Sequence, residues 1–221
     1  EYHSSFWGHL GVLNLEDHLL WPGFATYRHT ALASPYPSNA VVADLARAQG
    51  GLVGYAHPFD VLPDPDHDRV LSHELPAGVI TGKVDYIEVM GFSDHKATAA
   101  VWYRLLNLGF RLPAGAGSDT MANYASLRGP VGMNRVFLDT AGQREVPAVL
   151  EALKNGRGFV TNAPLIGFLL DDARPGQQVD CGRHHYRVAL RSAVGIDHLE
   201  LVHNGEVVMT FDLEGDRRQL D

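Results

Sequence analysis

The sequence predicts an α/β fold in which a parallel sheet, open or closed into a barrel, is followed by a small antiparallel β unit. Between residues 38 and 164, apolar runs of strand length alternate with segments of helical periodicity, which is typical of parallel strands joined by helices. After Pro164 the helical period disappears, and short strand-like runs with an Asn204-Gly205 turn favour antiparallel hairpins. We therefore expect one domain over residues 1–164 and a β-rich unit over residues 165–221.

The first half of the chain contains three predicted strands and two predicted helices. The segment "SNAVVADLARAQGG" predicts a helix over residues 38–51, with Ser38 as its cap and a Gly-Gly stop. The runs "LVGYAHP" and "VDYIEVMGF" predict two buried strands. A second helix, "AAVWYRLLNLG", is expected to be capped by Thr98 and to end at Gly109. The run "FRLPAGAGSD" then predicts a third strand, which ends at Asp119.

The second half adds one more helix–strand pair and the β unit. "REVPAVLEALKNG" predicts a helix, and "GFVTNAP" predicts a strand or an extended connection. The later runs "LIGFLLDD", "YRVALRSA", "HLELVH" and "EVVMTFDL" predict the strands of the β unit.

Composition limits the classes of function. The chain has 221 residues and 45% of them are hydrophobic, enough to bury a substantial core. A net charge of -8 with only 18 scattered Lys and Arg residues argues against a nucleic-acid partner. The single cysteine, Cys181, excludes an intrachain disulfide and a cysteine-rich zinc site. No apolar run is long enough to span a membrane, so we expect a soluble protein with a small-molecule substrate; compartment and oligomeric state stay open.

Histidine and carboxylate side chains fall where predicted strands end. His57 follows one strand and Asp119 follows another, and the carboxyl ends of parallel strands converge on one face. Imidazole and carboxylate groups bind zinc, manganese or iron, and such an ion lowers the pKa of a coordinated water. Asp94 and His95 lie on a loop expected at the same face, where they could contact substrate or transfer a proton.

Seven segments together resemble one family. They are "EYHSSFWGHLGVLNL", "GYAHP", "DYIEVMG", "WYRLLNLGFRLPAGAGSD", "RVFLDT", "LEALKNGRGFVTNAPLIGFLLDD" and "LELVHNGEVV". In this order they are similar to the CehA/McbA-type metallohydrolases, a branch of the PHP (polymerase and histidinol phosphatase) superfamily. The resemblance implies a distorted (β/α)7 barrel that binds two or three metal ions, followed by a β-rich tail. Named members of this branch hydrolyse aryl carbamates.

The resemblance also implies a set of metal ligands. It assigns Glu1 as a bridging glutamate and His9, His57 and Asp119 as further ligands to one to three divalent ions. The family places a His-x-His pair and another histidine before the glutamate, and this sequence opens at Glu1, so we expect the barrel's first strands and helices to be missing or upstream. Its last motif reads Asp-x-His, whereas this chain has Met121, whose thioether is a poor ligand for such ions.

Each candidate also has a structural interpretation. His9 could belong to an aromatic core, Asp119 could cap a turn, and Glu88 could face either side of its strand, so we expect a structural role for Glu88. His184-His185 is expected to be a surface pair in the β unit.

The sequence therefore predicts a metal-dependent hydrolase that acts on an ester, amide, carbamate or phosphoester bond. A second ion, Arg128 or Arg135 would stabilise the developing oxyanion, and a nearby histidine would carry the proton. The alternative is a non-catalytic ligand-binding or structural module of PHP-like fold, with a metal site eroded at Met121.

Overall fold

The computed structural model describes residues 1–4, 6–17, 37–60, 62–64, 74–121 and 128–220. Within these ranges strand accounts for 29% of the residues and helix for 20%, so sheet dominates. In chain order the elements are β1 (Leu10–Leu13), α1 (Asn39–Arg47), β2 (Leu52–Tyr55), α2 (Leu75–Ile80), β3 (Tyr86–Met90), α3 (His95–Asn107), β4 (Ala114–Ala116), β5 (Arg135–Leu138), α4 (Val146–Lys154), β6 (Gly158–Thr161), β7 (Leu165–Leu170), β8 (Tyr186–Arg191), β9 (His198–His203), β10 (Glu206–Asp212) and β11 (Gln219–Leu220).

A four-stranded sheet in the order β1-β2-β3-β4 organises the first part of the chain. β2, β3 and β4 run parallel, as the sequence predicted, whereas β1 pairs antiparallel with β2. Tyr2 extends this edge through an isolated antiparallel bridge to Leu10. The carboxyl ends of the three parallel strands therefore meet at one edge of the sheet.

The predicted (β/α)7 barrel, and with it the description as a TIM-like barrel, is wrong. Among the described residues the parallel ladder ends at β4, which has only three residues. β5 and β6 form a separate antiparallel pair, with Arg135 opposite Thr161, although α4 lies between them in the chain. Hydrophobic periodicity indicates which segments are extended or helical, but it does not determine the direction of each strand.

The predicted helices form, with one corrected boundary. α3 begins at His95, and Asp94 is its N-cap because its side chain accepts hydrogen bonds from the backbone N–H groups of Lys96 and Ala97. Thr98, the predicted cap, is instead fully buried, and its hydroxyl donates to the backbone oxygen of Phe59 at 3.2 Å. No helix among the described residues combines the length and apolar character needed to cross a bilayer.

The two faces of the central sheet are packed differently. One face contributes the main hydrophobic core, in which strand residues Val53, Tyr55 and Ile87 pack with Val42 of α1. On the opposite face the ring of Tyr86 covers three glycines of neighbouring strands, and its hydroxyl donates to the backbone oxygen of Gly11 at 2.9 Å. The metal-ligand candidates lie on this second face.

The β unit has the predicted antiparallel character. β7, β8 and β11 form one sheet, and β9 and β10 form a hairpin. The turn of that hairpin is Asn204-Gly205, with φ values of 54° and 84°, so the predicted hairpin is confirmed. Asn107 of α3 donates to the backbone oxygen of Asn204 at 2.7 Å, which joins the unit to the rest of the chain. The boundary at residue 164 stays a prediction.

Candidate metal centre

Three predicted ligands meet at the carboxyl edge of the sheet. The donor atoms of Glu1, His9 and His57 all lie within 4.8 Å of one another. Glu1 Oε1 is 2.9 Å from His9 Nδ1 and 3.1 Å from His57 Nε2. Two imidazoles and one carboxylate are a donor set that can hold a divalent ion.

The bridge between Tyr2 and Leu10 positions the first two ligands. These residues exchange backbone hydrogen bonds of 2.8 and 2.9 Å, and both side chains are buried. In an antiparallel pair this register places His3 opposite His9, and their rings stack with centroids 4.3 Å apart. Side chains alternate along a strand, so Glu1, His3 and His9 share the face opposite to that of Tyr2.

An unusual backbone conformation brings His57 to the same place. Strict alternation after β2 would direct His57 to the core side, with Tyr55. The strand has ended, however, and His57 adopts a left-handed φ of 30°, which is uncommon for a residue other than glycine. Its ring meets that of His9 edge-on, with centroids 5.0 Å apart. Asp119 also has a positive φ, 49°, a conformation that aspartate adopts more readily than most residues.

Hydrogen bonds control the charge of the cluster. Burial alone would raise the pKa of the Glu1 carboxyl, but hydrogen bonds from His57 and His9 and the charge of His3 hold it well below its ordinary range. For His57, burial would lower the pKa, but the hydrogen bond to Glu1 and the neighbouring carboxylates raise it above its ordinary value. The cluster thus favours positive charge next to Glu1, supplied either by protons or by a cation.

His3 is a fourth member of this cluster, and no role was predicted for it from the sequence. Its Nε2 is 3.3 Å from Glu1 Oε2, the oxygen that neither His9 nor His57 contacts in the structure. The signal that could have identified it is the Glu-x-His spacing, because two residues apart on an extended segment share a face.

Glu88 contacts the backbone of His57. Its Oε2 accepts a hydrogen bond from the backbone N–H of His57 at 2.9 Å. Gly117 packs so closely on Glu88 that a Cβ at this glycine would collide with the carboxylate. Burial raises the pKa of Glu88, and the charges of Glu1 and Asp119 act in the same direction. The contact fits the structural role expected for Glu88, because it holds the unusual backbone of His57.

Asp119 converges on the cluster but is held by a cation. Its Oδ2 is 3.9 Å from His57 Nε2, so the predicted convergence of these two strand-end residues is seen. The same oxygen forms an ion pair with Arg128, which also donates to the Asp119 backbone oxygen at 3.3 Å. The guanidinium lies over the ring of Phe92, 4.6 Å from its centroid. Asp119 is consequently not one of the three mutually close donors.

The other predicted catalytic residues lie apart from this set. Asp94 caps α3, and hydrogen bonds from the N–H groups of Ala97 and Lys96 lower the pKa of its exposed carboxyl. His95 is the first residue of the same helix. Arg135 begins β5, and its guanidinium is 6.0 Å from the ring centroid of Phe137. The structure thus brings Arg128 next to a candidate ligand and does not place Asp94, His95 or Arg135 there.

A cavity of about 280 Å³ adjoins the cluster. Its lining includes the polar residues Glu1, His57, Glu88 and Asp119. It also includes the apolar or aromatic residues Val12, Leu13, Tyr86, Val136 and Leu153. Two of the three donors, Glu1 and His57, therefore border a space for a small, partly apolar molecule.

Comparisons with protein-family models, curated proteins and solved structures find no match to this chain.

Proposed function

We propose that the protein is a metal-dependent hydrolase with one divalent ion held by Glu1, His9 and His57. The observation that carries this proposal is the convergence of these donors, within 4.8 Å of one another, from segments far apart in the sequence. Three protein ligands leave a fourth position for water, as a catalytic zinc site requires. Zinc suits this donor set, and manganese or iron are the rival ions. The resemblance to the CehA/McbA-type metallohydrolases supports the same reaction class.

The ion and the protein side chains would make different contributions to the reaction. A bound ion would lower the pKa of water and polarise the scissile carbonyl or phosphoryl group. The chain contributes a fixed donor set, because Glu88 holds the backbone of His57 and the antiparallel bridge of Tyr2 holds Glu1 beside His9. Arg128, beside Asp119, is the cationic group best placed to stabilise negative charge on the substrate.

The cavity indicates the kind of substrate. Its lining includes three carboxylate side chains, which disfavour a highly anionic substrate, together with aliphatic and aromatic side chains. We infer that a neutral ester, amide or carbamate with a small apolar group fits better than a phosphoester. Substrates much larger than 280 Å³ would have to extend out of the cavity.

Metal content tests the proposal directly. The purified chain is stripped with a chelator, reloaded with Zn²⁺, Mn²⁺ or Fe²⁺, freed of excess ion and measured by mass spectrometry for bound metal. We expect one equivalent or more in the unaltered chain and a large loss in His57→Ala. His184→Ala is the matched control, because His184 is paired with Asp171 in the β unit. An unaltered chain that binds no metal, or a His57→Ala variant with full content, would exclude this centre.

Activity is then measured with the loaded protein on nitrophenyl acetate, nitrophenyl carbamate and nitrophenyl phosphate. Hydrolysis should require the metal and should be lost in His57→Ala, with the neutral substrates preferred.

One observation favours the alternative, a binding or structural module. Asp119 is neutralised by Arg128, and Met121 stands where the resembling family has a histidine, so the centre has fewer donors than that family uses. Stoichiometric metal without hydrolysis of any of these substrates would support that alternative.

A further inference from the structure

A second cavity, of about 780 Å³, lies between the β5–β6 pair and the β7–β8 sheet. One wall is aromatic, because Phe137 and Phe159 are opposite each other in the ladder and stack with centroids 5.2 Å apart. Gly167 and Ala189 are paired neighbours on the β7–β8 wall of the cavity, and because neither has a large side chain the space in front of them stays open. A volume of this size is in the range of small-molecule sites.

A carboxylate and a guanidinium group lie at one end of the aromatic wall. The ladder continues from Phe137 and Phe159 to Asp139 and Arg157, which lie two residues farther along their strands. Alternation places this pair on the same face as the two phenylalanines. Arg174 and Arg187 also line the cavity, so three guanidinium groups accompany one carboxylate.

Arg157 differs from the other two arginines in its bonding. Arg174 pairs with Asp139 at 2.8 Å, and Arg187 pairs with Asp172 at 3.3 Å. The Nε atom of Arg157 is buried and has no hydrogen-bond partner. Arg157 lines the same cavity and takes part in neither of these ion pairs, so the guanidinium group can pair with an anion in the cavity.

We propose that this cavity binds a small aromatic carboxylate, with its ring against the Phe137–Phe159 pair and its carboxylate accepting from Arg157. Aromatic rings stack favourably on phenylalanine, and a charge-assisted hydrogen bond to a guanidinium is stronger than a neutral one. Because Arg174 and Arg187 are paired with carboxylates and Arg157 is in neither pair, the charge of Arg157 favours an anion over a neutral or cationic aromatic compound. This site is separate from the proposed metal centre and does not depend on it.

The test compares two probes of the same shape. Binding of 2-naphthoate and of neutral 2-naphthamide to the full chain is measured by isothermal titration calorimetry. We expect saturable binding of one 2-naphthoate per chain and at least tenfold weaker binding of the amide.

Two variants and one control locate the binding. Arg157→Gln should weaken 2-naphthoate at least tenfold. Gly167→Leu should block both probes by filling the cavity, where a Cβ meets its nearest neighbour at 3.7 Å and is not strained. Arg183→Gln, an exposed arginine outside the cavity, should bind like the unaltered chain. The absence of saturable binding, or unchanged affinity in both Arg157→Gln and Gly167→Leu with circular dichroism intact, overturns the proposal.

Discussion

Glu1 is the residue on which the candidate centre depends, because its two carboxylate oxygens contact different histidines. Oε1 faces His9 and His57, and Oε2 faces His3. We infer that the ion pair with His3, at 3.3 Å, helps to orient Glu1 so that Oε1 is directed at the other two donors. Groups that orient a ligand in this way commonly contribute 10–100-fold to metal affinity.

We expect His3→Ala to weaken Zn²⁺ binding about tenfold or more, because Glu1 loses the contact that fixes its orientation. His3→Gln can keep an amide donor near Oε2 and should retain most of the affinity. Competition with a chromophoric chelator measures both constants. Equal affinity in His3→Ala and the unaltered chain would show that this contact does not orient Glu1.

The ion pair between Arg128 and Asp119 should also affect metal affinity. Removing a cation next to the cluster lowers the electrostatic cost of placing a divalent ion there. Arg128→Ala should therefore raise Zn²⁺ affinity, while lowering the melting temperature of the metal-free protein because Asp119 loses its partner. Arg135→Ala is the control, since Arg135 lies on β5 near Phe137. Weaker Zn²⁺ binding in Arg128→Ala would contradict this account.

Only some residues of the candidate centre could be predicted from the sequence. His57 and Asp119 could be placed because each follows an apolar strand run, and the structure shows them 3.9 Å apart. Glu1 and His9 rested on the family resemblance alone. His3 could not be found without knowing that Tyr2 pairs with Leu10, since the ring stack depends on that register. The contact of Arg128 with Asp119 is likewise tertiary and leaves no periodic signal.

At the scale of elements, close packing of Tyr86 on glycines determines how the central strands fit. A Cβ on Gly54 would lie under 3.0 Å from three atoms of the Tyr86 ring. Gly54→Ala should lower the free energy of unfolding by about 1–3 kcal/mol, the usual cost of overpacking. Gly167→Ala is the matched control on β7, since its Cβ would meet only ordinary contacts at 3.7 Å or more. Urea denaturation of both variants measures the difference; similar losses would argue against the packing explanation.

The loop before β8 contains a histidine–carboxylate pair that should respond to pH. His184 Nδ1 is 2.7 Å from Asp171 Oδ2, and this hydrogen bond raises the pKa of His184 and lowers that of Asp171. The stabilisation from His184 is complete below its ordinary pKa of 6.5 and is lost as pH rises through the raised value. That from Asp171 is complete above its ordinary pKa of 3.8 and is lost as pH falls through the lowered value.

The difference in melting temperature between the unaltered chain and His184→Gln should therefore be largest between about pH 4 and pH 6.5. It should shrink towards both acid and alkaline pH. Thermal denaturation of both proteins across this range checks the prediction, and a difference that does not change with pH would contradict it.

Element types were more predictable than their arrangement. Ser38 stands at the N-cap position of α1 as predicted, although its side chain makes no capping hydrogen bond, and α1 ends at Arg47, before the Gly-Gly stop. The Asn204-Gly205 turn is a local signal that the structure confirms. The direction of β6 relative to β5 is not local, because it depends on which strands are neighbours in space. The alternation of strands and helices suits an open parallel sheet as well as a barrel, and the barrel was implied only by the family resemblance.

At the scale of the whole molecule, the β unit contacts the first part of the chain without contributing to the candidate centre. Asn107 contacts Asn204, and Arg111 donates to the backbone oxygen of Gly176 at 3.1 Å. The β7–β8 strands also line the cavity whose other wall carries Phe137 and Phe159. Among the described residues, the three mutually close donors all precede residue 58.

Removing residues 165–221 should therefore lower the stability of the protein much more than its affinity for metal. The truncated chain would expose the Phe137–Phe159 pair further and would lose the contacts of Asn107 and Arg111, so its melting temperature should fall and aggregation should increase. Zn²⁺ affinity below the new melting temperature should stay within a few-fold of the full chain, because Glu1, His9, His57 and the supporting Glu88 are all retained. Thermal denaturation and chelator competition on the same preparation separate the two effects. Loss of Zn²⁺ binding by a truncated chain with native-like circular dichroism would mean that the β unit supports the metal centre directly.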